Sequence, residues 1–343
     1  MILIIEHYRV LSRQKTMNSF LRQTCLAVVA LSIGVTGCSA PSANQASPVA
    51  SSAATPTIAS DAPNVVATNS VLCDLVKQIV ANTVNLTCLI KPGTDPHLYQ
   101  ATPDDRKAIE TANLVLYGGY SFEPGLVKLI QADSNATKVA VDEVAVPTPQ
   151  TFEEDGKPEP DPHVWHNAQN GVQITQVIQN NLAKIAPTNA DLYAKNAGAI
   201  AVQLTQIDGW IKSQIATIPP ATRKLVTTHD ALGYYAKAYN VPIEGALEGI
   251  STEEKPTAAR VKELVTTITA AKVPTIFAEV SINPQLIETV AKEANVKVSD
   301  QELFTDGLGE PGSSGETYQK MLTANTKAIV QGLGGKFTAF QAK

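Results

Sequence analysis

The chain has 343 residues, 44% of them hydrophobic and 17% charged, with a formal net charge of −5. That is enough apolar side chain for a sizeable core, and an acidic balance without any basic cluster excludes nucleic acid as a partner. Four cysteines and five histidines are so few that the position of each is informative.

From Met17 the sequence reads MNSFLRQTCLAVVALSIGVTGCSA: a short region with Arg22, an apolar stretch from Cys25 to Val35, then small residues before Cys38. This is the layout of a secretory signal, and its apolar run is too short for a comfortable permanent span. The residues before Cys38 resemble a bacterial lipobox, so Cys38 is expected to be lipidated and to become the mature N-terminus. Residues 1–16 read as an upstream extension with the true start at Met17, which removes His7. Residues 39–63 are rich in Ser, Ala, Pro and Thr; they cannot bury enough surface to offset chain entropy and are expected to form a disordered tether. Cys73 and Cys88, 15 positions apart in an exported chain, are expected to form a disulfide.

The folded part begins with the apolar run Val65–Thr68, followed by Ser70 as helix cap and the amphipathic stretch Val71–Val80. Val84–Ile90 is predicted as a strand. Thr102-Pro103-Asp104-Asp105 starts a helix, with a capping oxygen, proline in the first turn and acids at the positive dipole end. Asn113–Gly119 and Lys138–Asp142 are further strands, giving an N-terminal α/β lobe over 64–186. Two helical stretches without an intervening strand follow, Gln169–Ile185 and then Thr188–Ile218, the latter apolar at helical spacing. The second, within 187–218, is expected to be one long rigid connecting helix ended by Pro219-Pro220. Alternation resumes with the strands Lys224–His229, Val241–Leu247, Thr275–Val280 and Val296–Ser299 in a C-terminal α/β lobe, 219–343. The predicted class is therefore α/β: two lobes, each a mainly parallel sheet flanked by helices.

His97, His163 and His229 each follow a strand or a proline-rich loop, where ligands of open α/β sheets gather. Asp306 lies in the glycine-rich LFTDGLGEPGSSGETY. Three imidazoles and a carboxylate suit a borderline divalent metal, although no local ligand spacing such as HExxH supports the grouping. Gly307, Gly309, Gly312 and Gly315 lack the phosphate-loop lysine and the dinucleotide fingerprint; they are read as backbone freedom around Asp306. Glu279, ending TIFAEV, is either a group behind the site or an exposed strand-end acid. Glu153, Glu154, Asp155 and Glu159 read as a solvated loop, and Tyr117, Trp165 and Tyr235 as core or cleft walls.

The segments KPGTDPHLYQATPDD, ANLVLYGGYSFE, DPHVWHNAQN, VTTHDALGYYAKAYNV and FTDGLGEPGSSGETY run through nearly the whole folded part. Together they resemble the substrate-binding subunits of bacterial zinc and manganese ABC importers. The resemblance implies the metal ligands His97, His163, His229 and Asp306, zinc as bound cargo with manganese as the alternative, and a membrane permease as partner. It also implies a lipid-anchored monomer at the periplasmic face or cell surface, and no enzymatic activity. Two features depart from the family. His166 stands where HVWLDP has an apolar residue, and is expected to be either an auxiliary ligand or a partly exposed neighbour. The loop before HVW is acidic but has no histidine run. A zinc hydrolase, with Glu279 as its only nominable base, and a surface adhesin are the rival readings from other classes.

Overall fold

The first strand, β1 (Asn64–Ala67), is almost wholly buried, because its Val-Val-Ala core faces helices on both sides of a sheet. A computed structural model describes residues 61–342 apart from 133–135, 155–156 and 254. The signal, Cys38, most of the tether and Asp155 lie outside the described residues.

The elements that follow are α1 (Ser70–Val80), β2 (Asn85–Cys88), α2 (Pro103–Glu110), β3 (Leu114–Tyr117), α3 (Pro124–Ala132), β4 (Thr137–Ala140) and α4 (Val141–Ala145). Their strands form a parallel sheet in the order β2-β1-β3-β4. The Thr102 cap predicted for α2 forms a full capping box with Asp105. The cap of α1 is Asn69 and not Ser70: the Asn69 side chain accepts from the Leu72 amide. Ser70 is the first helical residue, and its Oγ accepts instead from the Leu308 amide, 238 positions away.

The acidic stretch read as a solvated loop forms a two-stranded hairpin, β5 (Thr151–Glu154) with β6 (Lys157–Pro160), antiparallel from Thr151–Pro160 to Glu154–Lys157. Its base is tied down by the Asp161 amide on the Gln150 carbonyl and by the Tyr234 hydroxyl, which accepts from the Gln150 amide. Helix α5 (Ala168–Ile185) and helix α6 (Ala190–Ile215) follow, separated by a tight turn at Pro187–Asn189. The second helix starts two residues later than predicted, because Pro187 opens that turn, and it stops at Ile215, before Pro219.

The second half contains β7 (Leu225–His229), α7 (Gly233–Tyr239), β8 (Ile243–Glu248), α8 (Ala258–Ala271), β9 (Thr275–Ile276), α9 (Gln285–Ala294), β10 (Lys297–Val298) and α10 (Tyr318–Gly332). Strands β7 and β8 pair in parallel, as do β9 and β10. The Phe277 amide on the Val226 carbonyl joins the two pairs. β9 and β10 are shorter than predicted, and beyond them a single parallel bridge connects Glu279 with Leu303.

The main core does not stop between the halves. Val65 and Leu72 from the first sheet and its helix, Leu204, Ile207 and Ile211 from α6, and Phe277, Met321 and Ile329 from the second half belong to one continuous apolar cluster. Reciprocal amide bonds between Gln78 of α1 and Gln319 of α10 reinforce the join.

Cys73 on α1 and Cys88 at the end of β2 are disulfide-bonded, with their Cα atoms 5.7 Å apart. Closing a loop of that length restricts the unfolded chain and contributes about 3 kcal/mol in the chain-entropy treatment. Reduction is therefore expected to lower unfolding free energy by about that amount, read from urea titrations with and without reductant. Coincident curves would contradict it.

Candidate metal centre

Four segments far apart in sequence converge where these strands end. His97 lies in the loop after β2, whose ladder continues through the Leu89 and Ile90 amides on the Ala67 and Thr68 carbonyls. His163 follows the hairpin and precedes a turn of 3-10 helix, Val164–His166. His229 is the last residue of β7, and Asp306 follows Phe304, whose backbone N–H and C=O are both held by the Asn325 side chain. All four side chains are buried, and each offers one ligand atom within 4.8 Å of the others.

The spacing has chemical meaning. Asp306 Oδ1 lies 3.0 Å from His229 Nε2, 3.4 Å from His163 Nε2 and 3.6 Å from His97 Nε2. His97 Nε2 and His163 Nε2 are 3.4 Å apart. Ligands about 2.0–2.1 Å from a tetrahedral ion stand roughly 3.3 Å from one another. Four of the six edges of such a shell are thus already close to that length, and all six lie within 4.8 Å.

The histidines are held from behind, His97 through its backbone amide and His163 and His229 through their rings as well. In Asp95-Pro96-His97 and again in Asp161-Pro162-His163, the aspartate Oδ1 accepts from the backbone amide of the histidine two residues on, at 2.9 Å in both cases. Asp161 Oδ1 also accepts from the His163 ring at Nδ1 (2.9 Å), and Asp95 Oδ2 accepts from Thr252 Oγ1 (2.6 Å). Glu279 is fully buried, so it is not an exposed strand-end acid. It accepts from the Thr228 and His229 amides, from Thr305 Oγ1 and from His229 Nδ1. Carboxylates on the outer ring nitrogens direct Nε2 inward and raise its basicity. Ser281 Oγ donates to Asp306 Oδ2 at 2.8 Å. Asp161, Ser281 and Thr305 were not picked out from sequence; the repeated Asp-Pro-His tripeptide was the available signal for the first.

Burial opposes charge on both His229 and Asp306, but their mutual attraction outweighs it. The Asp306 and Glu279 carboxylates hold His229 well above the usual imidazole range, and His229 in turn holds Asp306 well below the usual carboxylate range. Burial also works against a charged His163, yet its bonds to Asp161 and Asp306 raise it.

His166 is not a partly exposed neighbour. It is fully buried, with Nε2 2.8 Å from the Thr305 carbonyl, and it is not among the four converging groups. Burial, and then His163, push its ring down to about 3. Phe122 packs edge-on against His97 and 4.7 Å from the Trp165 ring, forming an aromatic wall. Of the glycines around Asp306, Gly312 has φ +86°, whereas Gly307 is required by crowding, since a Cβ there would meet Ser70 Oγ at 2.5 Å.

Comparison with known proteins gives the same architecture. Residues 65–332 match the family described as zinc-uptake complex component A, periplasmic. The chain is 35% identical over 278 residues to the metal ABC transporter substrate-binding lipoprotein ScbA of Streptococcus cristatus, covering 79% of this chain and 88% of that one. It is 36% identical over 278 residues, with the same coverage, to the manganese ABC transporter substrate-binding lipoprotein scaA of Streptococcus gordonii. The periplasmic zinc binding protein TroA from Treponema pallidum superposes with a TM-score of 0.75 at 33% identity, over 79% of this chain and 99% of that one. With two lobes, a buried group of three histidines and an aspartate, and a family match over most of its length, the chain belongs to the zinc-uptake component A family, whose members are solute-binding proteins of ABC importers and not enzymes.

Proposed function

We propose that this protein captures one zinc ion through His97, His163, His229 and Asp306 and delivers it to a membrane permease. The observation that carries the choice of metal is the donor set: three imidazoles and one carboxylate. Neutral imidazole suits zinc, whereas manganese favours more oxygen ligands and higher coordination. Manganese is the second reading, favoured by the names of relatives such as scaA of S. gordonii. Zinc outcompetes manganese at most nitrogen sites whatever the physiological cargo, so the deciding test is regulation. Expression induced by zinc starvation supports zinc; induction by manganese starvation alone overturns it.

The third ligand position is where the two readings divide. His229→Glu exchanges the nitrogen for oxygen and is expected to weaken zinc more than manganese, narrowing the gap between them in competition titrations. Equal losses for both metals, or none, would remove His229 from the role.

The chain is further proposed to be exported and held at the membrane as a monomer through a lipid on Cys38. Cys38→Ala is expected to remain an unprocessed precursor or to become soluble, as read by membrane fractionation and mass. Unchanged lipidation and processing would place the anchor elsewhere.

A further inference from the structure

Two backbone segments distant in sequence supply ligands to the cluster, and one side chain spans them. His166 lies three residues after His163, and its Nε2 meets the Thr305 carbonyl immediately before Asp306, a contact bridging 139 positions. A carbonyl only accepts, so the hydrogen is on Nε2 and the ring donates. The imidazole is fully buried, and its low proton affinity keeps it neutral.

Both ends of this bond are fixed. On one side, the Trp165 carbonyl accepts from the Tyr318 hydroxyl at 2.6 Å, and the Trp165 ring packs on Phe122. On the other, Thr305 Oγ1 donates to Glu279, the carboxylate that also holds His229.

We propose that His166 is a positioning residue: by donating to the Thr305 carbonyl it locks the His163 segment to the Asp306 segment and sets the separation of those two ligands. This rests on the zinc-binding reading above. The bond leaves the four ligand atoms untouched but makes any separation of the two segments depend on breaking it.

The experiment compares the unaltered protein with His166→Leu, His166→Gln and His166→Asn, using zinc alone. Affinity is measured by chelator competition and zinc release by stopped flow, with the melting of each metal-free protein followed in parallel. Leucine fills the space without a donor, glutamine places an amide N–H near the position of Nε2, and asparagine is polar but too short. His166→Leu and His166→Asn are expected to bind zinc at least about 10-fold more weakly and to release it faster, the lower end for loss of a group behind a metal ligand. His166→Gln is expected to restore most of both. Should the leucine variant fail to fold, the glutamine and asparagine pair carries the same contrast. Unchanged affinity and release in the donor-less variants, or equal losses in all three, overturn the proposal even where melting falls. Failure of the unaltered protein to bind zinc would instead overturn the metal reading itself.

Discussion

Asp306→Ala is expected to weaken zinc capture by more than about 100-fold, beyond the 10–100-fold typical of losing a group behind a ligand. Asp306 is the anion of the set, and its Oδ1 lies within 3.6 Å of the Nε2 atom of all three imidazoles. Without it, three neutral rings would hold a doubly charged ion in a buried site with no anionic ligand, the nearest carboxylates lying behind His163 and His229, a costly arrangement. A second readout follows from His229. In the metal-free protein the Asp306 and Glu279 carboxylates hold its ring well above its ordinary value, which favours the protonated form. Zinc needs the Nε2 lone pair, so capture expels that proton, and affinity falls as pH drops. Calorimetry in buffers of different ionisation enthalpy gives both quantities. The unaltered protein should release protons on capture at neutral pH, whereas Asp306→Ala removes the main attraction that keeps His229 charged and should release fewer. Near-normal affinity in the variant would exclude Asp306 as a ligand.

The second large effect is expected at Glu279, and it falls on stability as well as on binding. One buried carboxylate accepts from two backbone amides, a threonine hydroxyl and the His229 ring. Glu279→Ala strands all four donors and leaves His229 with only one of its two carboxylates. Removing one member of a buried pair costs roughly 3–5 kcal/mol. Denaturant unfolding of the metal-free variant should show a loss of that size, together with weaker zinc binding. Glu279→Gln is expected to separate the two effects. Its carbonyl still accepts from the amides, restoring part of the stability, but its NH2 cannot accept from His229 Nδ1, so the metal deficit persists. A stability loss below about 1 kcal/mol in the alanine variant would contradict this account.

Much of this was legible because of how α/β chains place polar residues. His229 ends an apolar strand, and His97 and His163 each follow an Asp-Pro; such positions report on strand ends whatever the packing around them. The choice between zinc and manganese rests on the donor chemistry at the third position, His229, and not on where these residues fall along the chain. The hairpin was hidden because Pro158, Pro160 and the acids disfavour a strand in isolation; its ladder forms at an exposed place where the missing proline donors cost little. His166 was hidden for another reason. A histidine replacing an apolar residue looks like a surface substitution until tertiary structure brings a carbonyl from 139 positions away to its ring. Asn69 and Ser70, adjacent and both able to cap a helix, exchanged roles because a distant amide claimed the serine.

The continuous core has a consequence for how the chain comes into being. Strand β1 and helix α1 are among the first described elements made, yet their apolar cluster is completed by Met321, Leu322 and Ile329 of α10, close to the end of the sequence. Synthesis delivers the N-terminal portion first. Until the last helix arrives, Leu72, Leu75 and Ile79 lack part of their covering, and α6 has only some of the surfaces it packs between. The nascent polypeptide therefore cannot complete its core, and stays open to chaperones and proteases, until α10 has emerged.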